Sequence, residues 1–85
     1  MNIKICIVGL GYVGLPLAVE FGKKYETIGF DINPDRIYEL NNFRDKTNEL
    51  SQEEIRLATK LIFTYKKETV TLHRFFFVNN RTFCV

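Results

Sequence analysis

The 85-residue sequence predicts an α/β fold, a partial parallel sheet with elements in the order β-α-β-α-α-β. A nearly continuous apolar run at residues 3–8 opens the chain and is typical of a parallel strand that is buried on both faces. A glycine-rich turn then leads into a segment with helical spacing of apolar residues, and a second apolar run follows at 27–30. Strand, helix and strand in this order form the repeating unit of a parallel sheet.

The turn after the first strand has the sequence GLGYVG at residues 9–14. Gly9 allows a sharp turn, Gly11 leaves room for the backbone to approach a pyrophosphate, and Gly14 allows the helix to pack closely on the strand. The helix start then presents free N–H groups and a positive dipole end to phosphates. Asp31, 22 positions after Gly9, suits ribose hydroxyls and would repel a 2′-phosphate. The pattern indicates a Rossmann-like sheet that binds NAD rather than NADP. The alternative is a purely structural βαβ turn.

Three helices and a third strand complete the predicted half domain. The first helix is expected at about residues 11–24, where apolar side chains recur at helical spacing. Asn33 and Pro34 are typical of an N-cap followed by the first helical residue, so they predict the start of the second helix. The sequence SQEE at 51–54 predicts a capping box that opens the third helix, which runs to about residue 60. The polar stretch between these two helices predicts a loop, and the apolar run at 61–65 predicts the third strand.

The composition of the chain changes near residue 60. Residues 1–59 carry seven basic and nine acidic side chains, whereas residues 60–85 carry five basic side chains, one acidic side chain and half of the aromatic residues. Basic aromatic segments can bind nucleic acid, but these few dispersed charges make too weak an electrostatic footprint, so no nucleic-acid partner is predicted. A shifted reading frame would explain the change, and genuine divergence or an unusual short paralogue are the alternatives.

The predicted organisation is an NAD-binding half domain at residues 1–65 and a basic, aromatic tail at residues 66–85. Runs at 68–72 and 75–78 are strand-like, with no helical pattern between them. Because a parallel connection needs a crossover, the tail is expected to be irregular or hairpin-like. A sheet edge left uncovered by such a tail would favour self-association.

Several other classes of protein and site are not indicated. The sequence has no run of about 18 apolar residues and begins with a strand rather than a signal peptide, so a cytoplasmic location without a membrane partner is expected. Cys6 lies in the first strand and is expected to be a small buried residue rather than a reactive thiol. Cys6 and Cys84 do not form a disulfide framework, and no cluster of His, Cys and carboxylates predicts a metal site.

The string IVGLGYVGLPLA at residues 7–18 resembles the start of the UDP-glucose/UDP-N-acetylhexosamine 6-dehydrogenase family. The likeness continues through IGFDIN at 28–33 and the helix that begins with Ser51 and Glu54, and it extends to residue 64. The resemblance implies an oxidoreductase domain with NAD as its cofactor. Members of this family use NAD twice to oxidise the C6 alcohol of a UDP-sugar to a carboxylate, through a cysteine-bound intermediate, and supply precursors for polysaccharide synthesis.

The resemblance also implies roles for individual residues. The backbone at Gly11, Tyr12 and Val13 would meet the NAD pyrophosphate, Asp31 would hold the ribose, and Arg36 matches a basic position near the adenosine. Without the resemblance, Arg36 would be a solvated helix charge, Val13 a core residue and Tyr12 a residue that packs on the helix start. The predicted cofactor-binding residues are Gly9, Gly11, Tyr12, Val13, Gly14, Asp31 and Arg36.

No catalytic residue is predicted in this sequence. The nucleophilic cysteine of the family, its catalytic partners and its UDP-sugar domain have no match here, and the surroundings of Cys84 do not resemble that nucleophile. His73 and Glu68 could act as an acid–base pair, but the sequence shows no further groups that would position them for catalysis. The leading interpretation is therefore the NAD-binding portion of a nucleotide-sugar dehydrogenase that is not catalytic alone. The alternatives are a non-catalytic truncated or frameshifted product and a small nucleotide-binding module.

Overall fold

The first strand, β1 (Ile3–Val8), is the centre of the structure, a computed structural model that describes residues 3–68 and 81–84. Ile5 and Ile7 belong to the hydrophobic core that the strand shares with the helices. Cys6, which lies between them and points to the opposite face, is also fully buried. Burial on both faces agrees with the continuous apolar run, and the expectation that Cys6 is a small buried residue is confirmed.

Three further strands complete a parallel sheet around β1: one pairs with β1 on each side, and the third pairs with the strand next to it. They are β2 (Glu26–Phe30), β3 (Leu61–Thr64) and β4 (Arg81–Cys84), and the order across the sheet is β3-β2-β1-β4. In the register of the two central strands, Cys6 lies opposite Ile28. The predicted parallel sheet is therefore confirmed. Since the strands are parallel, the turns that follow β1, β2 and β3 meet at one edge of the sheet.

The three predicted helices are present as α1 (Gly14–Gly22), α2 (Pro34–Asn41) and α3 (Gln52–Leu57). Helix α1 is shorter than the predicted range of 11–24 because residues 11–13 form a separate turn before the helix begins. In the part of the chain that the structure describes, no helix combines the length and the apolar character needed to cross a membrane.

Both predicted helix caps are confirmed by their hydrogen bonds. The side-chain oxygen of Asn33 accepts from the backbone N–H of Asp35 at 3.0 Å. At α3, the Ser51 hydroxyl accepts from the Glu54 N–H at 3.2 Å, and the Glu54 carboxylate accepts from the Ser51 N–H at 3.3 Å. These reciprocal bonds satisfy donors that have no partner within the helix, so each helix start is specified by a few adjacent residues.

The hydrophobic core lies between one face of the sheet and the three helices. Its buried members are Ile5, Ile7, Leu10, Leu15, Ala18, Val19, Ile37, Leu40, Ile55 and Ala58. Each fully buried Leu or Ile side chain contributes about 2 kcal/mol through removal of apolar surface from water. Leu10 belongs to the glycine turn itself, so the turn is anchored in the core.

Strand β4 is the one described element that the sequence did not indicate. Its backbone pairs in parallel with β1, with Arg81 opposite Ile3, whereas an irregular or hairpin-like tail was expected. A parallel partner needs a crossover of about a dozen residues, and the chain between β3 and β4 is long enough to supply one. The strand-like runs at 68–72 and 75–78 lie outside the described residues apart from Glu68, as does His73. The boundary at residue 65 stays a prediction.

Candidate dinucleotide-binding site

The glycine turn leaves β1 through a backbone conformation that few other residues adopt. Gly9 has a φ of +94°, and its N–H donates to the Phe30 carbonyl at the end of β2, at 2.8 Å. Helix α1 then begins so close to the turn that a Cβ on Gly14 would lie 1.7 Å from the Gly9 carbonyl oxygen. The predicted sharp turn at Gly9 is confirmed. A Cβ on Gly14 would also lie 3.5 Å from the Ile7 side chain of β1, so its absence lets the helix start pack closely on the turn and on the strand.

The middle of the turn is open to solvent. A Cβ on Gly11 would meet no atom within 4 Å, so this glycine is not required by packing within the chain. Tyr12 and Val13 are 67% and 81% exposed. The alternative interpretation of Val13 as a core residue is therefore wrong, and most of the Tyr12 side chain is exposed. The open surface lies at the N-terminal end of α1, where the first backbone N–H groups have no acceptor within the helix.

Asp31 follows β2 and lies beside the turn. Its Oδ2 accepts from the Leu10 N–H at 3.0 Å, and its Oδ1 accepts from the Asn33 N–H at 3.0 Å. The Asp31 N–H donates to the Thr64 carbonyl at the end of β3, at 3.1 Å, so the residue is held on both sides. Each carboxylate oxygen keeps a further lone pair. The carboxylate is thus fixed in place and can still accept from hydroxyl groups.

Leu10, the residue between the first two glycines, is held at three points. Its side chain is fully buried, and its N–H donates to Asp31. Its carbonyl accepts from Nε of Arg36 at 2.7 Å. The sequence does not reveal this role, because an apolar residue in a glycine turn indicates burial and nothing about its backbone partners.

Arg36 extends from α2 into the space behind the turn. It is only 8% exposed, so its interpretation as a solvated helix charge is wrong. Besides the bond to Leu10, its Nη1 donates to Oδ1 of Asp45 at 3.0 Å and lies 3.4 Å from the Glu39 carboxylate. Within residues 3–68, no acceptor is found for its buried Nη2. The structure places Arg36 next to the predicted site, and its role as an adenosine contact stays a prediction.

Asp45 is a second residue that the sequence did not reveal. Its side chain is fully buried, and it accepts hydrogen bonds from the Thr47 hydroxyl at 2.6 Å and from backbone N–H groups of Thr47, Glu49 and Leu50. Burial alone would raise the pKa of Asp45, but the hydrogen bonds from Thr47, Arg36 and Leu50 outweigh it and hold the pKa below its ordinary value of 3.8. In the sequence, Asp45 is one of several charges in a polar loop.

The predicted site residues therefore form two layers. Gly9, Gly11, Tyr12, Val13, Gly14 and Asp31 surround an open surface at the carboxyl ends of the central strands, and Arg36 lies behind them. Such an arrangement offers backbone N–H groups and a helix dipole to phosphates, and a fixed carboxylate to a sugar. The fold and the site define a dinucleotide-binding domain of the Rossmann class.

The chain belongs to the UDP-glucose/GDP-mannose dehydrogenase family and corresponds to its NAD binding domain, whose family model matches residues 3–78. NAD is therefore its cofactor. The match extends beyond residue 65, the predicted boundary of the half domain.

Individual relatives agree with this assignment. The chain is 50% identical over 77 residues to a UDP-N-acetyl-D-glucosamine 6-dehydrogenase of Salmonella typhi, a match that covers 91% of this chain and 18% of that protein. It is 55% identical over 64 residues to the enzyme of that name from Pseudomonas aeruginosa, covering 75% of this chain and 15% of the relative. The chain thus spans less than a fifth of the length of these relatives.

A solved structure supports the same fold. The UDP-glucose dehydrogenase from the hyperthermophilic archaeon Pyrobaculum islandicum superposes with a TM-score of 0.69 at 26% identity, and the match covers 81% of this chain and 17% of that one. The parallel sheet described above is therefore the fold of the matched part of that enzyme.

Proposed function

We propose that this chain binds NAD through the backbone of its glycine turn and through Asp31. The pyrophosphate lies against the backbone at Gly11, Tyr12 and Val13, and the Asp31 carboxylate accepts from the adenosine ribose hydroxyls. The observation that carries this proposal is the open space at Gly11 beside a carboxylate that is already fixed by the Leu10 N–H. A phosphate can approach the backbone there without a steric clash, and the sugar would meet a preorganised acceptor.

The surrounding residues fit this group. Gly9 and Gly14 shape the turn, and Tyr12 and Val13 are exposed at its rim, where their backbone is accessible. Arg36 completes the proposed site from behind, next to the adenosine side. When bound, NAD supplies a hydride acceptor, while the residues of this chain bind it and fix its orientation.

The fixed carboxylate of Asp31 also provides the sharpest test of the ribose assignment. Replacement of Asp31 with Ala should weaken NAD binding about tenfold, since hydrogen bonds to a charged acceptor are lost. It should also remove most of the preference for NAD over NADP, because the carboxylate no longer repels a 2′-phosphate. Calorimetric titrations with both nucleotides measure the two effects.

The ratio of the two affinities separates this role from a general loss of structure. NAD and NADP differ only at the 2′ position, so damage to the fold weakens both nucleotides alike. Asp35→Ala is the matched control, because it removes an exposed carboxylate from the first turn of α2. An unchanged ratio in Asp31→Ala contradicts the ribose assignment, and a wild-type chain that does not bind NAD contradicts the proposed function as a whole.

We further propose that the chain is the NAD-binding part of an enzyme that oxidises the C6 alcohol of a UDP-sugar to a carboxylate in polysaccharide precursor synthesis. The identity of 50% and 55% to UDP-N-acetyl-D-glucosamine 6-dehydrogenases supports this proposal. Hydride transfer requires the sugar and the nicotinamide to be held together, and the chain spans 18% and 15% of those enzymes. The purified 85-residue chain, given UDP-N-acetylglucosamine and NAD, should form no NADH; measurable turnover contradicts this part of the proposal.

Self-association through a sheet edge and a cytoplasmic location stay predictions. The first is supported by β3 (Leu61–Thr64), which pairs with β2 at one edge of the described sheet and carries an Ile62 side chain that is 56% exposed. Such an edge presents unpaired backbone groups to a second chain. Sedimentation velocity over a range of concentrations would detect a dimer, and Ile62→Lys should shift the equilibrium toward the monomer.

A further inference from the structure

We propose that Asp45 and Arg36 are positioning residues that hold the glycine turn in its NAD-binding shape, an inference that rests on the proposed function. The loop between α2 and α3, residues 42–51, contacts the turn through this pair of side chains. The structure joins them in one continuous series, from the Asp45 carboxylate to the Arg36 guanidinium and from there to the Leu10 carbonyl. None of the three groups needs to touch the cofactor for this role.

The first link is a rigid acceptor. Three backbone N–H groups and one hydroxyl of the same loop donate to the Asp45 carboxylate, and its side chain has no exposed surface. A carboxylate held in this way has little freedom to move, because each shift breaks hydrogen bonds that water cannot replace. Asp45 therefore fixes the position of the Arg36 Nη1 atom, 3.0 Å away.

The second link is the side chain of Arg36. Its planar guanidinium directs donors in fixed directions, so holding Nη1 also determines where Nε points. Nε donates to the Leu10 carbonyl at 2.7 Å, the shortest of the hydrogen bonds that Arg36 makes to described residues. A lysine at this position would keep the charge next to Asp45 but lacks the fork that serves both acceptors.

The third link is the peptide group between Leu10 and Gly11. Its carbonyl accepts from a cation, and its N–H belongs to Gly11, the residue proposed to approach the pyrophosphate. A charged donor on the carbonyl polarises the peptide and increases the partial positive charge on that N–H. The Asp31 carboxylate accepts from the N–H of Leu10 itself, which belongs to the preceding peptide group. The two peptide groups that flank Leu10 are therefore both held in place. The result is a donor that is oriented and strengthened before the ligand arrives.

The test uses the isotopically labelled 85-residue chain without ligand and then with NAD. In Asp45→Asn, an amide N–H₂ replaces one acceptor oxygen, so the hold on Arg36 weakens. We expect the Gly11 amide resonance of the ligand-free chain to shift and the NAD dissociation constant to rise three- to tenfold. The control Asp35→Asn removes the same charge from an exposed position of α2 and should change neither measurement.

The outcomes separate a positioning role from a structural one. If Asp45→Asn lowers stability but leaves the Gly11 amide and the NAD affinity unchanged, the inference is overturned. If the wild-type chain does not bind NAD, the proposed function fails, and the Gly11 resonance of the ligand-free variants still decides whether the series exists. Should Asp45→Asn not fold, Arg36→Lys supplies the same test: the Gly11 amide must shift, and an unchanged resonance overturns the inference.

Discussion

The glycine turn and the loop between α2 and α3 differ in what they expose: the turn presents its backbone to solvent, and the loop buries a charged side chain. At Gly11 the turn has no side chain and meets no neighbour within 4 Å, so its backbone faces open space. The 42–51 loop instead folds around a buried side chain, with the Asp45 carboxylate accepting from several of its own residues. Arg36 connects the two regions, because it donates to both the Leu10 carbonyl of the turn and the Asp45 carboxylate of the loop.

We expect the greatest loss of stability from a substitution at Gly14, which is tightly packed, in contrast to Gly11, which is open. In Gly14→Ala, the new Cβ would lie 1.7 Å from a backbone oxygen, so the start of α1 must move. We expect a loss of about 3 kcal/mol in the free energy of unfolding, together with loss of NAD binding. Urea denaturation and calorimetry measure the two effects. A stability equal to that of the wild type would show that the close approach at Gly14 is not a constraint.

How much the sequence reveals differs between the two regions for a physical reason. The roles of Gly9 and Gly14 and the caps at Asn33 and Ser51 were predicted and are confirmed, because each depends on residues that are adjacent in the chain. The hydrogen bonds that surround Asp45 are also local, but many loop carboxylates have similar neighbours and remain exposed. Nothing in such a loop shows which carboxylate is buried.

The connection through Arg36 could not be predicted because it depends on tertiary placement. Leu10 and Arg36 are 26 positions apart, and only the folded sheet brings them together. The pairing of β4 with β1 is non-local in the same sense, since Arg81 lies opposite Ile3, 78 positions earlier in the chain. Without the family resemblance, Val13 would be assigned to the core, because an apolar side chain at a helix start is ordinarily buried, yet it is 81% exposed.

We expect acid to have an intermediate effect on the free energy of unfolding, through the Asp45 carboxylate of the 42–51 loop. The folded-state pKa of Asp45 lies below 3.8, so its carboxylate stabilises the native state above that pH, and the contribution is lost as the pH falls through the lowered value. Asp45→Asn should therefore cost about 2 kcal/mol at neutral pH and progressively less in strong acid.

Urea denaturation of both proteins at a series of pH values measures this difference, with Asp35→Asn as the exposed control. A difference between wild type and Asp45→Asn that stays constant from neutral pH to well below 3.8 would contradict the sign of the pKa shift. A difference that grows in acid would contradict it more strongly.

Gly11→Ala should change stability least of all these variants, and it tests whether the glycine turn is kept open for the cofactor. The open space accepts a methyl group, so the free energy of unfolding should stay the same or rise by up to about 1 kcal/mol. The same methyl group would occupy the place of the pyrophosphate, so calorimetric titration should show NAD binding weakened at least about tenfold relative to the wild type. Equal NAD affinity in the two proteins would contradict the claim that the glycine turn is kept open for the cofactor.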